Sequence, residues 1–228
     1  CKSVKNISAN TQVHYYKVFH HCLNSAVIDE IITSNPMDKI KNEEKPKRRR
    51  TERAFLTIDE LKILSQTDFH NATLKKAFLF SCFCGLRHSD IVALTWGNLK
   101  KGKVGKMELH MTQQKTQEIL SLPLSKEALK QLPVRGKVPD TEKVFKGLIS
   151  LGRTNEILPK WAAKAGIQKH ITFHSARHTH ATMMITLGAD LYTVSKLLGH
   201  TNIQTTQIYA KIVDESKEKA IDLIPDIT

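Results

Sequence analysis

Cysteine is scarce in this chain of 228 residues: Cys1, Cys22, Cys82 and Cys84 stand at irregular spacing. That excludes a disulfide scaffold and points to a reducing, cytoplasmic setting. No run approaches the ~20 consecutive apolar residues of a membrane span, and no apolar segment precedes a cleavage site near the N-terminus. Acidic residues are also in short supply, 22 Asp and Glu against 35 Lys and Arg, for a formal charge of +13. The chain has no Gly-x-Ser-x-Gly elbow, no Gly-x-x-x-x-Gly-Lys-Ser/Thr loop and no dinucleotide-type Gly-rich turn. Serine hydrolase chemistry and nucleotide binding therefore have no support. An initiator methionine is absent too, and with Cys1 first we expect a piece of a longer protein.

What is present is a 40% share of hydrophobic residues, enough for a core in one large domain, or in one domain plus a fragment. The positive charge favours a polyanionic partner, nucleic acid being the commonest; the plain alternative is a solvated basic surface without a partner. Its distribution narrows the choice. Residues 41–53 hold Lys41, Lys45, Lys47, Arg48, Arg49, Arg50 and Arg53 against three glutamates, around Pro46 and without hydrophobic periodicity. This reads as a flexible basic linker. Lys47, Arg48, Arg49, Arg50 and Arg53 are expected to track the phosphates of double-stranded DNA, which positions a protein without reading bases.

Before the linker, an apolar stripe from Val13 to Val27 predicts a helix over Thr11–Ile32, ended by Asn35-Pro36. After it, Thr57-Ile58-Asp59-Glu60 is a capping box. Helices are expected from Asn71 to Cys84, with Gly85 as terminator, and from Ser89 to Leu94. The period then changes to two. Met107, Leu109 and Met111 form one strand and Leu120, Leu122 and Leu124 another, joined by a hairpin tip at Gln113-Gln114-Lys115-Thr116. Further helices are expected over Ser125–Leu132, Asn155–Lys164 (with Pro159 imposing a kink or a late start), His174–Leu187, Leu191–Leu198, Thr201–Tyr209 and Val213–Leu223. The fold class is mostly α with one small antiparallel sheet.

Five of the eleven histidines, His170, His174, His178, His180 and His200, crowd the last third of the chain. His174 and His178 have the i, i+4 spacing of metal ligands, but Arg177 beside them would repel a dication and no glutamate occupies the base position of the zinc protease motif. We expect no metal site. The remaining candidates are cationic and aromatic: Arg87 in Gly85-Leu86-Arg87-His88-Ser89-Asp90, Arg177 in His174-Ser175-Ala176-Arg177-His178, His200 after Leu198-Gly199, and Tyr209 nine residues later. Singly, each has an ordinary structural reading.

Together, in this order and with Lys115-Thr116 in the hairpin, they resemble the tyrosine recombinase (phage integrase) family over about Arg53 to Ala220. The resemblance implies Tyr209 as nucleophile on a DNA phosphodiester, leaving a 3′-phosphotyrosine and a free 5′-hydroxyl. Arg87 and Arg177 would clamp the non-bridging oxygens, Lys115 would protonate the leaving oxygen, His174 would be the acid/base partner of the tyrosine, and His200 would hydrogen-bond the phosphate. Lys100, Lys101, Lys103 and Lys106 also lie near the sheet and compete for the lysine role. Ala176 departs from the larger aliphatic residue usual in the family, at a packing position. Residues 1–40 would close a helical core-binding domain, 41–53 would link, and 54–228 would form the catalytic domain. The resemblance also implies a homotetramer on DNA, accessory DNA-bending proteins in some systems, and a last helix docked on a neighbouring protomer or on its own domain.

The chemistry is self-consistent. Attack on a phosphodiester spreads negative charge over the equatorial oxygens, and two planar, permanently charged arginine forks suit them. A phosphotyrosine retains the bond energy of the broken strand, so rejoining requires no cofactor. Integration or excision of a mobile element is the expected function. A type IB topoisomerase-like activity and a non-catalytic DNA-binding module are the alternatives.

Overall fold

The computed structural model describes residues 7–49, 53–102 and 105–209. Arg50 and the expected helix over Val213–Leu223 lie outside the described residues. The chain divides into two units, one up to Glu52 and one from Arg53.

In the first unit a single long helix, α1 (Ala9–Ile28), starts at Ser8, whose hydroxyl accepts from the Thr11 backbone N–H. It ends four residues before the expected Ile32. Glu30 adopts a left-handed φ of 57°, and the N–H groups of Glu30 and Ile31 return to the carbonyls of Val27 and Ala26. That is the double bond of a Schellman stop, here built on glutamate instead of glycine. Asn35 follows, buried, and joins the helix through Asn24 Oδ1 (2.6 Å) and the His20 carbonyl.

The second unit is mostly helical with one three-stranded antiparallel sheet, as the residue pattern predicts. Its helices are α2 (Ile58–Gln66), α3 (Ala72–Cys84), α4 (His88–Ala93), α5 (Lys126–Lys130), α6 (Leu151–Lys164), α7 (Phe173–Thr186) and α8 (Leu191–Leu198). The strands β1 (Leu99–Lys101), β2 (Met107–Thr112) and β3 (Ile119–Pro123) pair in that order, with Leu109 opposite both Leu99 and Leu122. Leu109, Met111, Leu120 and Leu122 turn their side chains into a core shared with Phe78, Phe80, Trp161 and Phe173. α3 and α7 lie against each other through the middle of this core.

Three expectations need correction. α6 begins at Leu151 rather than Asn155, because the Ser150 hydroxyl caps it through the Arg153 N–H, and Pro159 sits inside the helix. α5 is shorter than expected, stopping ahead of Pro133. The segment Thr201–Tyr209 is two 3-10 turns, Ile203–Thr205 and Gln207–Tyr209, in place of one helix. Thr206 and Tyr209 bond three residues back, to the carbonyls of Ile203 and Thr206, which is the tighter register.

Candidate active site

Each functional side chain is presented at the end of an element or on one helix face. α3 stops at Gly85, whose φ of +72° is left-handed and whose missing Cβ would meet Leu198 and His180 at under 3 Å. This close approach lets the Gly85 carbonyl accept from Arg177 Nη1 at 2.8 Å. Two residues on, Arg87 is the N-cap of α4. The fully buried Asp90 carboxylate accepts from the Arg87 backbone N–H at 3.2 Å and from the Gln114 N–H at 2.8 Å, and lies 3.9 Å from Arg87 Nη1. One carboxylate thus ties the Arg87 turn to the β2–β3 hairpin that carries Lys115.

His174, Arg177 and His178 share a face of α7 by their i, i+3, i+4 spacing. Arg177 is 3% exposed, and its Nη2 donates to the Leu198 carbonyl at 2.8 Å. Two of the five guanidinium N–H bonds are thereby fixed to backbone, leaving three for a ligand. α8 ends in a Schellman stop at Gly199, with His200 N–H returning to the Ser195 carbonyl (3.0 Å). His200 Nδ1 lies 2.9 Å from the Thr206 hydroxyl. Tyr209 packs its ring with Ala181, Ile185, Val194 and Leu198, and its hydroxyl lies 2.5 Å from His178 Nδ1.

Arg87, Lys115, His174, Arg177, His200 and Tyr209, all six candidates from the sequence, line one cleft of about 250 Å³. Arg53, expected among the linker contacts, lines it as well. Lys47, Arg48 and Arg49 belong to the first unit. A larger open depression of about 530 Å³ beside His88, Val92 and Leu148 gathers no such cluster of cations. His178 is the residue the sequence reading left out: the ring against the tyrosine hydroxyl is His178, while His174 stands edge-on to it with centroids 4.7 Å apart. The signal was its place one helical turn after His174. Asp90 and Gln113, both without solvent exposure, had no sequence signal beyond their neighbours.

The electrostatics follow from crowding cations in a partly dry cleft. Burial first, then Arg177, Arg53, Arg87 and Lys115, pushes His174 down to about 4. Burial and then His174 and Arg53 push His178 to about 3, and burial with Arg177 and Arg87 takes His200 to about 4. All three rings are neutral at pH 7. Burial raises the Tyr209 phenol to about 12 against the lowering pull of Arg177 and Arg53. Arg177 falls to about 10 through burial and then Arg87, and keeps its charge at neutral pH. Among the described residues no carboxylate lines the cleft, so the donor set is cations and neutral imidazoles. It is built to receive an anion.

The family model described as the phage integrase family matches residues 54–216. A tyrosine recombinase of Pseudothermotoga lettingae is 30% identical over 199 residues, covering 86% of this chain and 68% of the relative. The tyrosine recombinase XerC of Caldanaerobacter subterraneus subsp. tengcongensis is 30% identical over 207 residues, covering 86% and 57% respectively. The Tn1549 transposon integrase, solved with circular intermediate DNA, shares the fold at a TM-score of 0.68 and 18% identity, over 90% of this chain and 76% of that one. A lambda integrase dimer bound to a COC′ core site gives 0.67 at 18% identity, over 90% and 80%.

Proposed function

The chain belongs to the phage integrase family and is a tyrosine site-specific recombinase; we propose that it integrates or excises a mobile element by cutting and rejoining double-stranded DNA through a covalent 3′-phosphotyrosine. The Tyr209 oxygen forms the new P–O bond while the bond to the 5′ oxygen breaks. The phenolic proton passes to the imidazole pair, with His178 as the immediate acceptor and His174 behind it, and Lys115 protonates the departing 5′ oxygen. Arg87, Arg177 and His200 hold the non-bridging oxygens, where negative charge grows in the transition state. A neutral His178 with its own proton on Nε2 offers the lone pair, and the negative charge of the scissile phosphate offsets Arg53 and Arg177, two of the cations that hold this ring down, which raises its basicity in the DNA complex.

The observation that carries this reading is the buried Tyr209 hydroxyl, 2.5 Å from a neutral imidazole in a cleft lined by Arg87, Arg177 and Lys115. Residues 1–40 close a core-binding domain, Lys47, Arg48, Arg49, Arg50 and Arg53 follow the DNA backbone, and four copies assemble on two duplexes, with DNA-bending proteins as accessories. The test uses a duplex nicked near the exchange point, in EDTA. The parent chain becomes covalently attached to DNA and Tyr209→Phe does not. Attachment by Tyr209→Phe, or a strict requirement for Mg²⁺, overturns the reading.

A further inference from the structure

We infer that Gln113 is a positioning residue that sets Arg87 and the Lys115 hairpin against the scissile phosphate; the inference rests on the recombinase reading above. Gln113 ends the β2 side of the hairpin, two residues before Lys115, and is fully buried. Its Oε1 accepts from Arg87 Nη1 at 3.0 Å and from the Thr116 hydroxyl at 2.8 Å. Its Nε2 donates to the Leu198 carbonyl at 3.0 Å, the same oxygen that accepts from Arg177. The amide can sit only one way round, because the flipped group would turn N–H bonds toward a guanidinium and an oxygen toward a carbonyl.

One side chain therefore joins the hairpin, the Arg87 turn and the end of α8, which leads into His200. The backbone leaves room for it. Gly199 has a left-handed φ of +62°, and a Cβ there would lie 2.8–3.0 Å from the Gln113 amide. Two of the three partners have further bonds of their own. Leu198 O retains Arg177 and Arg87 retains the Asp90 turn, while Thr116 is the half-buried residue of an otherwise exposed hairpin tip. The three bonds instead restrict where a guanidinium and a lysine-bearing loop can stand, and a misplacement of about 1 Å at a reacting centre can cost on the order of 10²-fold in rate.

The test measures covalent attachment of the full chain to the nicked duplex at saturating DNA, with DNA affinity and thermal midpoint measured in parallel. Gln113→Met fills the same volume and loses all three bonds; Gln113→Asn keeps an amide too short to span Arg87 and Leu198. Both are expected to slow attachment at saturation by about 10-fold to 100-fold, with affinity within about twofold of the parent. A purely structural role would lower the thermal midpoint and leave the rate of the folded fraction unchanged. Attachment by either folded variant within twofold of the parent overturns the positioning role alone. A parent chain that forms no Tyr209-dependent covalent product overturns the recombinase chemistry, and the positioning role with it.

Discussion

At the scale of single residues, the proposed reaction leaves the phosphate charge to Arg87 and Arg177 and the proton transfers to His178, His174 and Lys115. Arg87 and Arg177 were legible because arginine after a glycine stop and arginine one turn after histidine are local patterns. His178 was not, because its contact with Tyr209 spans 31 positions and exists only once α7, α8 and the 3-10 turns have packed. The geometry makes a specific demand. His178→Ala should slow covalent attachment by about 10²-fold, the lower range for loss of a general base, while leaving DNA affinity near that of the parent. Single-turnover cleavage of the nicked duplex measures this. A loss of that size in His174→Ala with none in His178→Ala would return the acid/base duty to His174 alone. Asp90 and Gln113 illustrate a wider limit on sequence reading: both act by pinning a neighbour from a buried position, and nothing in their local pattern distinguishes them from ordinary polar residues.

At the scale of elements, the stops matter more than the helices. The Thr57–Glu60 capping box was legible and is present in both directions, Glu60 N–H to the Thr57 hydroxyl and Thr57 N–H to the Glu60 carboxylate. β1 was missed because three residues with two exposed lysines give no alternation to read. The start of α6 was missed because a proline within a helical run points to a late start, whereas here Pro159 lies inside a helix that Ser150 caps nine residues earlier. Two glycine stops provide a matched test. Gly166 after α6 and Gly199 after α8 are both left-handed, but an added Cβ meets open space at the first and the Gln113 amide at the second. Gly166→Ala should lose about 1–2 kcal/mol from backbone strain alone and cleave within twofold of the parent. Gly199→Ala should carry the same strain and also displace Gln113 from Arg87, so its cleavage should fall more than tenfold. Denaturant unfolding and single-turnover cleavage separate the two effects.

At the scale of the whole molecule, the positive cleft sets a dependence on acid. The unfolded chain takes up protons on these histidines near pH 6.5, whereas the folded chain holds His174, His180 and His200 unprotonated down to about 4 and His178 to about 3. Protons therefore favour unfolding across that window. Stability present in full above pH 6.5 should decline as the pH falls toward 4, and thermal midpoints measured from pH 7.5 to 4.5 will follow it. A midpoint that rose on acidification would contradict the neutral-imidazole cleft. Tyr209 lines the same cleft as Arg87, Lys115 and the α7 residues of its own chain, its ring packed with Leu198 and its oxygen on His178. On the proposed reaction, a subunit built this way would carry both halves of its chemistry. Mixing Arg177→Ala with Tyr209→Phe should thus give no complementation on a duplex with two binding sites, since neither defective copy can lend its intact half to the other.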